Sequence, residues 1–280
     1  MSTVLITGAG SGIGAATARL LADRGVDVIA GVRPGGENGA LGTITSPRIW
    51  HVPLDVTDAQ SIAGAFAAID GRLGGAGLDG VVDNAGIAVA GPLEVLPIER
   101  LRESLETNVI GQVAVVQAAL PLLRRAHDGG RIVIVGSIAG RLAAQFGGAY
   151  HASKFALEAV ADILRQELEP ELIDVTLIEP AAISTPIWDK AIAGLDELLA
   201  ADVPGIDRYR ERLLGFRDSL RSGDEHGLEV SKVAEAIAEA LLGERPPTRT
   251  VVGTAGRLAT ALKPLLPDRV ADKLTERTAS

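Results

Sequence analysis

The opening residues constrain the fold more than any other stretch. Val4-Leu5-Ile6 is a short strand-forming run, and Thr7-Gly8-Ala9-Gly10-Ser11-Gly12-Ile13-Gly14 turns the chain. Helix-forming residues then run from Ala15 to Arg24 and stop at Gly25. A strand, a glycine turn and a helix in this order let the backbone approach a diphosphate while the helix N-terminus faces it. Gly10-x-Gly12-x-x-Ala15 satisfies the dinucleotide fingerprint in its alanine form. A second strand over 26–32 completes the βαβ frame that a plain glycine-rich loop would lack.

That second strand ends in Val32-Arg33. An acid at this point holds a ribose 2′-hydroxyl, whereas Arg suits a 2′-phosphate. The expectation is therefore NADP(H), with NAD as the second choice. Asp27 starts the strand, far from its cofactor-facing end. Residues 34–47 are rich in glycine and lack helical periodicity, which predicts an irregular or stunted crossover.

Further strands are predicted over 49–56, 78–83, 131–136, 174–178 and 250–253, and helices over 59–73, 98–126, 150–168 and 230–242. Asp58 or Thr57 is placed to cap the first of these helices. The alternation predicts an α/β fold, a doubly wound parallel sheet with helices on both faces. Asn84-Ala85-Gly86 follows the fourth strand, and its small residues would let a cofactor lie against the backbone. Ser137 is delivered at the carboxyl end of the fifth strand, the edge where catalytic groups gather in such sheets.

Tyr150 and Lys154 are one helical turn apart on the same face. A nearby cation favours phenolate, so the pair is expected to draw the phenol's pKa toward working pH. That makes a proton donor and acceptor for an alcohol/ketone couple. Tyr occurs only twice in the chain, so an incidental surface Tyr is not its habit.

Residues 187–228 differ from the rest: Trp188, Tyr209 and Phe216 stand among dense charges and two broken helical patterns. An excursion between a strand and the next core helix suits a substrate cover. The tail over 257–280 is amphipathic and interrupted by Pro264 and Pro267; its role is left open between packing, framing the substrate mouth and touching a partner subunit.

A chain of 280 residues suits one large domain or two small ones, and the reading adopted is a single dinucleotide-binding and catalytic domain over 1–280. The formal charge of −9 argues against nucleic acid and anionic membrane surfaces. There is no Cys, and His51, His127, His151 and His226 lack ligand spacing, so no metal is expected. Met1-Ser2-Thr3 leads straight into the first strand, so no signal peptide is expected. The apolar run 109–123 is too short to span a bilayer, and the expected location is cytoplasmic.

Taken together, Thr7-Gly8-x-x-x-Gly12-x-Gly14, Asp55, Asn84-Ala85-Gly86, Asn108, Ser137, Tyr150-x-x-x-Lys154 and residues 180–185 resemble the single-domain branch of the short-chain dehydrogenase/reductases. The match runs from residue 3 to about 253. The resemblance implies a Rossmann-type sheet of seven strands and a hydride exchange between a nicotinamide and a carbonyl or secondary alcohol. It implies Tyr150 as general acid/base, Lys154 on the nicotinamide ribose and Ser137 on the substrate oxygen. Asn108 would hold a water in a proton relay. The glycine turn, including Gly8, Ser11, Gly12, Ile13 and Gly14, would take the diphosphate. Asp55 with Val56 would meet the adenine, Asn84, Ala85 and Gly86 the ribose region, and Pro180, Ile183 and Thr185 the carboxamide side.

Two departures stand out. Asp83 replaces the first Asn of the family's Asn-Asn-Ala-Gly, and an acid there is expected still to accept backbone hydrogen bonds. Pro180-Ala181 replaces Pro-Gly, which stiffens the loop. Local sequence such as Leu177-Ile178-Glu179-Pro180 is most similar to members acting on bulky hydrophobic alcohols, such as hydroxysteroid or retinol dehydrogenases. The family's habit of pairing long helices across subunits implies a homodimer or homotetramer. Two alternatives stay open here: a nucleotide-sugar epimerase-like enzyme, and a non-catalytic dinucleotide sensor on the same fold.

Overall fold

The computed structural model describes residues 2–35, 46–127, 129–225 and 227–278. Seven parallel strands form one sheet in the order β3-β2-β1-β4-β5-β6-β7. They are β1 Thr3–Ile6, β2 Asp27–Val32, β3 Ile49–Pro53, β4 Gly80–Asp83, β5 Arg131–Val135, β6 Asp174–Pro180 and β7 Arg249–Val252. The chain runs outward from β1 to β3 and then returns to lay β4 beside β1. The crevice at that reversal, outside the carboxyl ends of the strands, is where this fold binds ligands.

Side chains alternate between two cores. On β1, Leu5 faces one side while Val4 and Ile6 face the other; on β5, Ile132 and Ile134 oppose Val133 and Val135 in the same way. Helices α2 Ala59–Leu73, α4 Gly111–Leu123 and α5 Gly148–Leu168 cover the first face through Phe66, Val115 and Leu157. Helices α1 Gly12–Asp23 and α8 Val230–Leu242 cover the second through Leu21 and Ile237. Each such side chain contributes about 1.5–3 kcal/mol on burial. Strands covered on both faces read as continuous apolar runs, which is why β5 is plain in the sequence.

Some boundaries differ from expectation. The predicted helix over 98–126 is α3 Ile98–Leu105, a π-helical turn Glu106–Ile110 and then α4. Asn108 is buried within this turn, and the helix passes so close to the segment after β3 that a Cβ at Gly111 would lie 2.6 Å from the Val56 oxygen. Strand β3 stops at Pro53, and Leu54, Asp55 and Val56 follow it into the lining of the crevice. Helix α2 keeps its expected bounds: the Asp58 carboxylate accepts from the Gln60 N–H at 2.8 Å, and Gly74 ends it in the left-handed region at φ 59°. Most of the glycine-rich crossover, 36–45, lies outside the described residues.

The excursion over 187–228 holds α6 Ile187–Ala200 and α7 Arg210–Glu225. They close a small core of their own around Leu195, Leu198, Ile206 and Leu213. Phe146, at φ 63°, packs edge-on against Tyr209 and Phe216 and joins this pair to the loop before α5. The tail forms α9 Thr254–Leu262 and α10 Asp268–Thr278. Helix α9 lies on the main body, where Arg141 donates to the Thr260 carbonyl at 3.2 Å.

Candidate active site

The glycine turn is built for contact. Gly8 sits at φ 62°, and a Cβ there would lie 2.9 Å from the Ala85 Cα. At Gly14 a Cβ would come within 2.4 Å of the Gly8 oxygen. Neither position admits a side chain. Ser11 opens α1, and its own side chain makes no cap hydrogen bond to the first turn.

Thr7 ties this turn to the end of β4. Its hydroxyl accepts from the Asn84 and Ala85 N–H groups at 2.9 and 3.0 Å and donates to Asp83 Oδ1 at 3.1 Å. The Asn84 amide donates back to the Thr7 oxygen at 2.9 Å. Asp83 thus acts on the backbone through Thr7, which corrects the expectation that its carboxylate accepts backbone N–H groups directly. Its second oxygen is buried without a hydrogen-bond partner. Burial holds the Asp83 carboxyl well above the usual carboxylate range, against the Thr7 hydrogen bond and the Lys154 charge.

A cleft of about 310 Å³ runs along the carboxyl edge of the sheet. Gly8, Ser11, Gly12 and Ile13 line one end, with Arg33, Asp55 and Val56 flanking them. Asn84, Ala85 and Gly86 line the middle. Ser137, Tyr150, Lys154, Pro180, Ile183 and Thr185 line the other end. Of the predicted site residues, Gly14 and Asn108 lie behind the lining.

Lys154 is buried and donates to the Val135 carbonyl at 2.9 Å, with its ammonium 5.7 Å from the centre of the Tyr150 ring. Burial lowers its pKa to about 8, opposed by the Asp83 charge. The Tyr150 phenol has its pKa raised: burial outweighs the hydrogen bonding of the Ser137 hydroxyl, which favours phenolate. This reverses the expectation that the ammonium sets the phenol low. Desolvation dominates.

Asn108 is fully buried. Its oxygen accepts from the Ile87 N–H at 2.8 Å, and its amide donates to the Ile87 carbonyl and to Ser153 Oγ, both at 2.9 Å. Both amide donors are used within the protein, and the side chain fixes the 84–87 loop.

Trp188 and Lys190 line the cleft and were not among the expected site residues. The Trp188 indole donates to the Ile183 carbonyl at 3.0 Å, and its ring stands edge-on to Tyr150 at 6.3 Å. A scarce aromatic in the excursion was the available signal. Charged residues in the lining are Arg33, Lys154 and Lys190 against Asp55 alone, in a chain of net −9. Bare glycines, an uncapped helix start and an excess of cations fit a dinucleotide. Among the described residues no cluster of metal-ligating side chains occurs, and no helix is long and apolar enough to cross a membrane.

Residues 2–195 match the family model described as short chain dehydrogenase. The chain belongs to the short-chain dehydrogenase family. Its curated relatives include a 3-amino-tetrahydro-pyrrolizinone reductase of Xenorhabdus hominickii, 37% identical over 90% of this chain and 86% of that protein. An NADPH-dependent 3-dehydrocapnine reductase of Ornithobacterium rhinotracheale is 33% identical over 98% and 96%. A 17-beta-hydroxysteroid dehydrogenase type 6 of Bos taurus is 35% identical over 98% and 88%. Among solved structures, a short-chain dehydrogenase from Streptomyces avermitilis superposes with a TM-score of 0.78 at 29% identity, covering 98% of this chain and 94% of that one. Family membership makes the protein an NAD(P)-dependent oxidoreductase of alcohols and ketones, and the epimerase and sensor alternatives are set aside.

Proposed function

We propose that this short-chain dehydrogenase uses NADP(H) and interconverts a ketone and a secondary alcohol on a bulky hydrophobic small molecule. The convergence of Ser137, Tyr150 and Lys154 on one end of a cleft that begins at the glycine turn carries this reading. When bound, the nicotinamide supplies or accepts the hydride at the substrate carbon. The Tyr150 hydroxyl gives a proton to the substrate oxygen in reduction and takes one in oxidation. Burial keeps the phenol neutral in the free protein, the form a proton donor needs. Ser137 holds the substrate oxygen beside the phenol, and the Lys154 charge favours the phenolate left after proton transfer. Asn108 acts as a positioning residue that fixes the loop after β4.

Arg33, lining the cleft after β2, supports a 2′-phosphate, and one relative is named NADPH-dependent. Ile87, Ala88, Ile183, Ile187 and Trp188 give the cleft an apolar wall, and another relative is named for a hydroxysteroid. Residues 187–228 serve as the substrate lid of a single catalytic domain. Exposed Ile98, Ile110, Phe155 and Ile163 on α3 to α5 support a homodimer or homotetramer built on those helices. The proposed location is cytoplasmic. The test is NADPH against NADH oxidation, followed by absorbance, with a panel of steroid, retinoid and small aliphatic carbonyls. Turnover of small polar ketones alone would overturn the substrate class.

A further inference from the structure

Helix α6 begins directly against the glycine turn: a Cβ at Gly12 would lie 3.5 Å from Thr185 Cγ2 and 3.9 Å from Pro186 Cδ. One turn on, the Lys190 N–H bonds back to the Pro186 carbonyl, so Lys190 and Pro186 share a helix face. Lys190 is the only cation in α6, which otherwise carries Asp189, Asp196 and Glu197. Among the described residues its ammonium has no ion-pair or hydrogen-bond partner, although it lines the cleft. The two acids further along the helix lie beyond it, and Asp196 is already paired with Arg217.

We propose that Lys190 is a cofactor-binding residue that reaches from the lid to the diphosphate of the dinucleotide, opposite the N-terminus of α1. This rests on the dinucleotide reading of the cleft. The first turn of α1, which Ser11 leaves without a side-chain cap, and a lid-borne ammonium then hold the same anion from two sides. Because Trp188 shares that turn of α6 and stands against Tyr150, the same contact sets the substrate wall. Cofactor binding and lid position are thereby linked: a ligand shifts the lid by the affinity it gains from the closed arrangement.

The diphosphate is common to NADPH and NADH, whereas the 2′-phosphate is not, and this separates Lys190 from Arg33. Titration of the full chain, by calorimetry or tryptophan fluorescence, should show Lys190→Gln weakening both cofactors by the same factor, about tenfold at low salt. Lys190→Arg should stay within about twofold of the parent, and Lys190→Glu should weaken binding more than the Gln variant. Raising the salt should narrow the gap between parent and Gln variant. Thermal melts matching the parent confirm that the exposed substitution leaves the fold intact. Loss of NADPH affinity alone, or binding unchanged within about twofold for both cofactors, would overturn the assignment. A parent protein that binds neither cofactor would overturn the dinucleotide reading, and this assignment with it.

Discussion

The Lys154 ammonium donates to the Val135 carbonyl at 2.9 Å, and so pins the helix that carries Tyr150 to the end of β5. The same side chain is buried, with a pKa lowered to about 8. Below that value the free protein holds a positive charge on the cleft floor; above it the charge is lost. NADPH binding to the free protein should therefore weaken as pH rises through about 8, and Lys154→Met should bind weakly with a flat profile across that window. Calorimetric titration across the range checks it, and a parent profile without a break there would contradict the assignment.

Asp83 raises the Lys154 pKa by its charge. Replacing it with the neutral Asn should move that binding midpoint to lower pH. The variant should also be more stable at neutral pH, because it removes the desolvation cost of ionising a buried carboxyl. Chemical denaturation of Asp83→Asn beside the parent measures this; a less stable variant with an unmoved midpoint would show that Asp83 acts only through Thr7.

Glu179 is buried, with Arg249 Nε at 3.5 Å, Arg141 Nη1 at 3.7 Å and Glu158 as a like-charged neighbour. Burial, then the Glu158 charge, push its pKa from 4.5 up to about 7. Between those values the native state binds more protons than the unfolded chain, so stability falls as pH rises through the window. The melting temperature of the parent should drop between about pH 5 and pH 8, at roughly 2–4 °C per kcal/mol for a chain of this size class. Glu179→Gln should show a smaller drop. An equal drop in both proteins would place the pH dependence elsewhere.

Phe146 holds α7 to the loop before α5 through its edge contacts with Tyr209 and Phe216. Phe146→Ala should raise the substrate KM severalfold, because the contact that holds the lid is lost, while any loss of NADPH affinity should not exceed that of Lys190→Gln, the side chain that links lid and cofactor. Steady-state kinetics with parallel cofactor titration separates the two constants. A change confined to cofactor affinity would contradict the lid role.

Much of the fold was legible because its signals are local. The run into Thr7 to Gly14, the Asp58 cap with Gly74 and the doubly apolar β5 each declare an element within a few residues. The site motifs were legible for the same reason, since Tyr150 and Lys154 lie one turn apart on α5. What escaped depends on residues far apart in the chain. A π-helical turn leaves the apolar periodicity of 98–126 almost unchanged, so the break at 106–110 was not legible. Thr7 mediates for Asp83 across 76 positions, a contact no spacing rule reaches. The raised phenol pKa follows from burial by the surrounding elements, whereas the sequence offered only the neighbouring charge. Lys190 went unnoticed because its importance comes from where α6 meets the glycine turn.

Proton transfer by Tyr150 is tested most directly by measuring, on one preparation of Tyr150→Phe, the single-turnover rate with a reducible ketone and the Kd for NADPH. Removing the hydroxyl should cut the rate by about 10²–10⁴-fold, the usual contribution of a positioned acid. The Kd should stay within about twofold of the parent, since the glycine turn and Lys154 are intact. A rate above one-tenth of the parent's with unchanged binding would contradict Tyr150 as the proton donor.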